Sequence, residues 1–367
     1  MTQQHPTSTT SHCRLLPKRK FRGRGFTLIE ILVVIAIIAV LAGLLLAALS
    51  GVQKAAKRTK TTSLMQSFAR ACDEFALDHG RYPGLLPDSA IEEEATQVSQ
   101  PIDITSITPT QNALLELMGG ARVKNSLSPT SVLTEYDNFE SNATIVYSFT
   151  DPSTNVEWDI AFDESRFGEG PWMNGRVYEP YFSPKLSDLR FIPFANDPDV
   201  LEKYTLPSLI DAWETPIIYL RAGRKSGRII DQATNGLLPQ FDLPLLDQFF
   251  EDALNTNGSV IGPILASDDA TRLAWLTLLL AHPSFWEDTG NGEVFSSGVA
   301  WGTTRGRYVL ISAGSDGIYL EVANEQVHTG HVVDPNNPSN SLLDPQSGLV
   351  KPIMMETFDD VIVYGGA

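Results

Sequence analysis

No acidic residue stands in the first 25 positions, although the chain of 367 residues carries a net charge of −17. Arg14, Lys18, Arg19, Lys20, Arg22 and Arg24 all lie in that stretch, and taking these six away leaves −23 on the rest. A body this acidic argues against a polyanion such as nucleic acid as partner. It suits hard cations such as calcium. Cysteine is nearly absent: Cys13 and Cys72 are the only two. If the basic leader is lost a single thiol remains, so a disulfide scaffold is excluded. Cys72 reads as a small apolar contact on a helix. Catalytic signatures are missing too. There is no Gly-x-Ser-x-Gly elbow, no P-loop and no His-Glu-x-x-His. His328 and His331 are close in sequence but lack a carboxylate at a recognised metal-ligand spacing. Nothing here proposes an enzyme.

Charge is also absent from Ile31 to Leu49. As a helix this run rises roughly 29 Å, close to the hydrocarbon thickness of a bilayer. Glu30 stands at its start, where a carboxylate is expensive unless paired and is functional by default. Three readings compete: a plain signal anchor, a secretory signal cut near Ser50, and a processed segment beginning at Phe26. For Glu30 the bland alternative is a side chain snorkelling to the headgroups.

No proline interrupts residues 26–80. Lys54, Lys57, Arg58 and Lys60 solvate the helix beyond the apolar run. Leu64, Phe68, Cys72 and Phe75 then recur at helical spacing as one apolar stripe. Gly80 is placed to end the helix, with Pro83 just beyond. A continuous helix over this range would reach roughly 80 Å. The six leader cations outnumber the four after the span, which keeps the N-terminus cytoplasmic.

The string Gly25-Phe26-Thr27-Leu28-Ile29-Glu30, with its basic leader and apolar run, resembles the type IV pilin and pseudopilin family. "CDEFALDHGRYPG" (72–84), "LIDAWETPIIYL" (209–220), "YVLISAGSDG" (308–317) and "TFDDVIVYGG" (357–366) resemble further landmarks of the type II secretion major pseudopilins, in the same order. Ala212 and Glu214 depart from the second of these, standing where the family has Pro and Gly. The resemblance implies cleavage by a prepilin peptidase between Gly25 and Phe26, methylation of the Phe26 amine, and pairing of Glu30 with the Phe26 amine of a neighbouring subunit. It implies an α+β pilin-like lollipop, a long N-terminal helix packed on a small antiparallel sheet. The expected layout is a cleaved leader (1–25), a transmembrane helix (26–49), an amphipathic helix (50–80) and a periplasmic head (81–367). The implied role is a structural subunit of a type II secretion pseudopilus. Its partners would be copies of itself, other pseudopilins, the peptidase and an inner-membrane assembly platform. A surface pilin for adhesion or motility, and an anchored extracytoplasmic enzyme or binding protein, are the alternatives.

Under half of the chain carries this resemblance. Residues 85–205, 222–306 and 318–356 read as insertions. Within them "QNALLELMG" (111–119) reads as a short helix, "ATIVYSF" (143–149) as a strand and 269–283 as a buried helix. Segments 85–110 and 329–347 read as loops. The family resemblance also implies calcium, with Ser312, Asp316, Asp359 and Asp360 as ligands. Calcium asks for several hard oxygens gathered by a tight loop, and here about forty residues separate the two ligand blocks. Loop closure costs grow slowly with length, so the two ends can still meet.

Overall fold

The computed structural model describes residues 27–86, 96–97, 107–125, 127–140, 145–150, 154–173, 176–193, 205–222, 280, 306–315, 317, 319 and 360–366. The chain divides into two compact units, Met1–Gln53 and Lys54–Ala367. The leader, the expected helix 269–283 (Leu280 apart) and the expected loop 329–347 lie outside the described residues.

Helix α1 runs Leu28–His79 without a break, as the absence of proline from 26–80 requires. In the first unit its apolar side chains stand in the open: Leu28 is 82% exposed, and Ile31 to Leu41 lie near half exposure or above. Nothing is described of the side chains of 44–48 and 50. Among the described residues no helix is long and apolar enough to cross a membrane.

In the second unit α1 turns amphipathic. Phe68, Cys72 and Phe75 of the expected stripe are fully buried, and Leu64 is half-buried. Met65, Ala69 and Ala71 widen the stripe. Truncating Phe68 or Phe75 to Ala costs about 3–5 kcal/mol at such sites. The helix stops at Gly80, whose φ of +71° lies in the left-handed region that glycine tolerates. Its N–H closes the last turn on Ala76 O at 2.9 Å.

The remaining elements are β1 (Thr96–Gln97), α2 (Pro109–Met118), β2 (Ala121–Asn125), α3 (Thr130–Glu140), β3 (Ile145–Thr150), β4 (Glu157–Phe162), β5 (Trp172–Met173), β6 (Arg176–Val177), β7 (Leu189–Pro193), β8 (Thr205–Leu209), β9 (Ile218–Arg221), β10 (Tyr308–Ser312) and β11 (Val361–Gly365). The class is mixed, an N-terminal helix followed by small antiparallel sheets. The three-stranded sheet β11-β10-β9 meets the stripe of α1 in one core, through Tyr219, Tyr308, Leu310 and Val361. A four-stranded sheet, β1-β3-β4-β2, lies in the region read as the first insertion. Side chains alternate across it: Ile160 and Phe162 join Leu86, Leu115 and Leu206, while Ala161 meets Tyr136 and Phe139 of α3.

Helix α2 links the two cores and is buried along its whole length. Its polar side chains therefore need internal partners, and they have them. The Thr110 hydroxyl donates to Ile217 O (2.7 Å) and accepts the Tyr219 N–H (2.9 Å), standing in for a neighbouring strand at β9. Asn112 does the same for Leu86, accepting its N–H at 2.8 Å and donating to its carbonyl at 3.1 Å. Glu116 accepts both forks of the Arg81 guanidinium and the Gly84 N–H at 2.7 Å. The helix ends in Gly119, at φ +84°, where a Cβ would strike Gly170 O at 2.1 Å.

Candidate processing and assembly site

Gly25 and Phe26, where cleavage and methylation are expected, lie outside the described residues; Glu30 is described. Thr27 precedes the first helical residue, in the position of an N-cap. Its backbone N–H donates to Glu30 Oε2 at 2.8 Å and its hydroxyl donates to the same oxygen at 2.9 Å. The Glu30 N–H points back at Thr27 Oγ1, 3.3 Å away. This is a capping box, Thr at the cap and Glu three residues on. It brings a negative charge to the positive end of the helix dipole. The Thr-x-x-Glu spacing is the sequence signal for this cap, and it adds Thr27 to the residues expected from the motif.

Of the four residues expected to hold calcium, Ser312 and Asp360 are described, and Asp316 and Asp359 lie outside the described residues. The two blocks do meet. Ser312 pairs with Val361 in the β10–β11 register, so Asp360 stands one residue beyond the partner of Ser312. Both side chains are buried. The Ser312 hydroxyl is already engaged: it donates to Asp211 Oδ2 at 2.8 Å and accepts the Gly314 N–H at 3.3 Å. Asp211 was not foreseen. It is 3% exposed and opens the tight turn before β9. Its Oδ1 accepts the N–H groups of Trp213 (2.8 Å) and Thr215 (2.9 Å). Burial pushes its carboxyl above the usual range, against the pull of these hydrogen bonds and the Lys57 charge. Glu214, in the same turn, has φ +71°, in the position where the family has Gly. Among the described residues, no group of three or more His, Cys, Asp or Glu is placed to hold a metal ion. The Asp211 and Ser312 oxygens are met by protein donors, whereas Asp360 Oδ2 is buried without a hydrogen-bond partner among the described residues.

A capped N-terminal helix ahead of small antiparallel sheets is one half of the identification. The other is that residues 20–46 match the prokaryotic N-terminal methylation motif. In this N-terminal region the chain is similar to the type IV pilin and pseudopilin family. Over 63 residues it is 48% identical to the type II secretion system core protein G of Pectobacterium carotovorum subsp. carotovorum, a stretch that makes up 17% of this chain. The chain spans 40% of the length of that relative. No solved structure matches.

Proposed function

We propose that this chain is a structural subunit of a type II secretion pseudopilus, cut between Gly25 and Phe26 and assembled through its N-terminal helix. The observation that carries the reading is the N-terminal match: a methylation motif over residues 20–46 together with 48% identity to a type II secretion core protein. Before assembly the segment 26–49 holds the chain in the inner membrane, with the head in the periplasm. The exposed apolar face of α1 supports this, because isolated exposed patches of that size mark an interface or a membrane contact. The fibre acts mechanically and performs no chemistry.

The capping box gives Glu30 a defined place in this scheme. Cleavage after Gly25 frees an amine one residue before Thr27. In the single chain the carboxylate satisfies the donors of Thr27. In the fibre it exchanges part of that cap for the Phe26 amine of a neighbour, a charge-assisted contact that strengthens in a low-dielectric surround. Stacking register is thereby tied to processing.

The deciding experiment is mass spectrometry of the mature N-terminus, with and without a co-expressed prepilin peptidase. Peptidase-dependent loss of residues 1–25 with a methylated Phe26 is expected. A start near Gly51, or an intact leader under those conditions, would overturn the proposal.

A further inference from the structure

We propose that α3 is a salt-sensitive cover on the face of the four-stranded sheet that carries Ala161, able to lift from β2 and β4 while the core around α1 stays folded. The connection to β2 allows it. Asn125 ends that strand, and its side-chain oxygen accepts the Leu127 N–H (3.0 Å) and the Ser128 hydroxyl (3.1 Å). The Ser128 N–H closes on Asn125 O at 2.9 Å. These bonds fasten the turn to itself, so α3 can swing from it without breaking them.

Charge holds α3 down more than apolar burial does. Among the described residues its apolar contact with the sheet is the small cluster of Tyr136, Phe139 and Ala161, separate from the two larger cores. Lys124 of β2 is the main fastener. Its Nζ lies 3.1 Å from Asp137 Oδ1 and 3.9 Å from Glu140 Oε2, and 4.3 Å from the centre of the Tyr136 ring. The guanidinium groups of Arg122 and Arg166 stand 4.7 and 4.8 Å from the centre of the Phe139 ring. The Asp137 side chain is 62% exposed, so its pair with Lys124 is open to screening by salt. When α3 lifts, Lys124 still has a carboxylate: Asp159 of β4, its cross-strand partner, is 3.6 Å away. One group favours opening. The buried Tyr136 hydroxyl has no hydrogen-bond partner among the described residues. Closure strips it of water and returns no bond. Elements held by such contacts open before the whole domain unfolds.

The test is peptide-resolved amide exchange of the full chain in non-ionic detergent, at about 0.1 M and about 1 M sodium chloride, between which the screening length falls from about 10 Å to about 3 Å. Wild-type α3 is expected to exchange ahead of residues 64–79 of α1 and of β10, and to speed up at high salt while those two do not. Lys124→Met should speed α3 by about 5-fold at low salt and remove most of the salt effect. Tyr136→Phe keeps the ring and deletes the stranded hydroxyl, so it should slow α3 by about 5-fold. That slowing is a result that mere damage to packing would not give. The proposal is overturned if α3 exchanges only together with α1 and β10, if its rate ignores salt, or if Tyr136→Phe speeds it. Should Lys124→Met fail to fold, the wild-type salt series and Tyr136→Phe decide between the same outcomes.

Discussion

Ser312, the last residue of β10, donates its hydroxyl hydrogen to Asp211 at 2.8 Å across 101 residues of sequence. With Thr61 bonded to Ala212, the turn at 211–215 fastens α1 to the three-stranded sheet. Removing the carboxylate leaves buried donors at Trp213, Thr215 and Ser312. Each stranded group costs about 1–3 kcal/mol. Asp211→Ala is therefore expected to destabilise the head by about 3 kcal/mol or more in denaturant unfolding. Asp211→Asn should lose less than half of that. Its Oδ1 keeps the two N–H donors, and its amide can donate to Ser312 Oγ after the hydroxyl turns. Equal losses for both variants would contradict this account.

The same residue sets a pH dependence. Burial raises the folded-state pKa of Asp211 above its unfolded value, ordinarily about 3.9. Between those two values the folded chain binds more protons than the unfolded one. The contribution of Asp211 to stability is thus fully present below the unfolded value and is lost as pH rises through the folded value. Relative to Asp211→Asn, which cannot titrate, the wild type should gain stability as neutral solutions are acidified into that window. Unfolding free energies of both proteins across a pH series measure the difference directly. A wild type that instead weakens relative to the variant would show that the hydrogen bonds outweigh burial.

Glu214 sits at φ +71°, a conformation that costs an L-residue about 1–2 kcal/mol. Glycine adopts it freely but is more costly to order from the unfolded chain. The balance favours Glu214→Gly by about 0.5–1 kcal/mol, read as a higher denaturant midpoint with an unchanged slope. A lower midpoint would mean that the Glu214 side chain makes a contact worth more than its strain.

Much of α1 was legible in the sequence because its signals are local. The missing prolines gave its length, the spacing of Phe68, Cys72 and Phe75 gave its buried face, and Gly80 gave its end. The strand at 145–150 and the helix α2 were legible for the same reason. What α2 does was not. Thr110, Asn112 and Glu116 look like a solvated face, yet all three are buried because their partners arrive from Ile217, Leu86 and Arg81. Polar burial depends on residues far away in the chain, and no periodicity announces it. Asp211 was hidden in the same way, behind a partner 101 residues on.

Cys72 offers a direct check on the packing of α1. It is fully buried, and desolvation pushes its thiol well above the usual range, so little thiolate is available to react. The folded, processed chain should take up no alkylating reagent at neutral pH and one equivalent after denaturation. A chain that keeps its leader should add Cys13. Rapid native labelling of Cys72 would show that the α1 stripe opens from the sheet.

Thr27 and Glu30 allow the cap and the intersubunit contact to be separated. Thr27→Ala removes the hydroxyl but leaves the backbone N–H that Glu30 also accepts. Loss of such a cap costs about 1 kcal/mol, which faster amide exchange in the first turn of α1 would register. Glu30→Gln keeps a hydrogen-bond acceptor for Thr27 but has no charge to offer the amine of a neighbouring Phe26. If Glu30 serves only its own helix, fibre yield should fall little in either variant. If it also pairs between subunits, Glu30→Gln should abolish fibres while Thr27→Ala retains most of them, with both variants still cut after Gly25. Sheared-fibre yield, measured alongside the mature N-terminal mass, distinguishes a defect in assembly from one in processing. The expected result is the second pattern, because a carboxylate in an apolar surround is stabilised far more by a charged amine than by a hydroxyl.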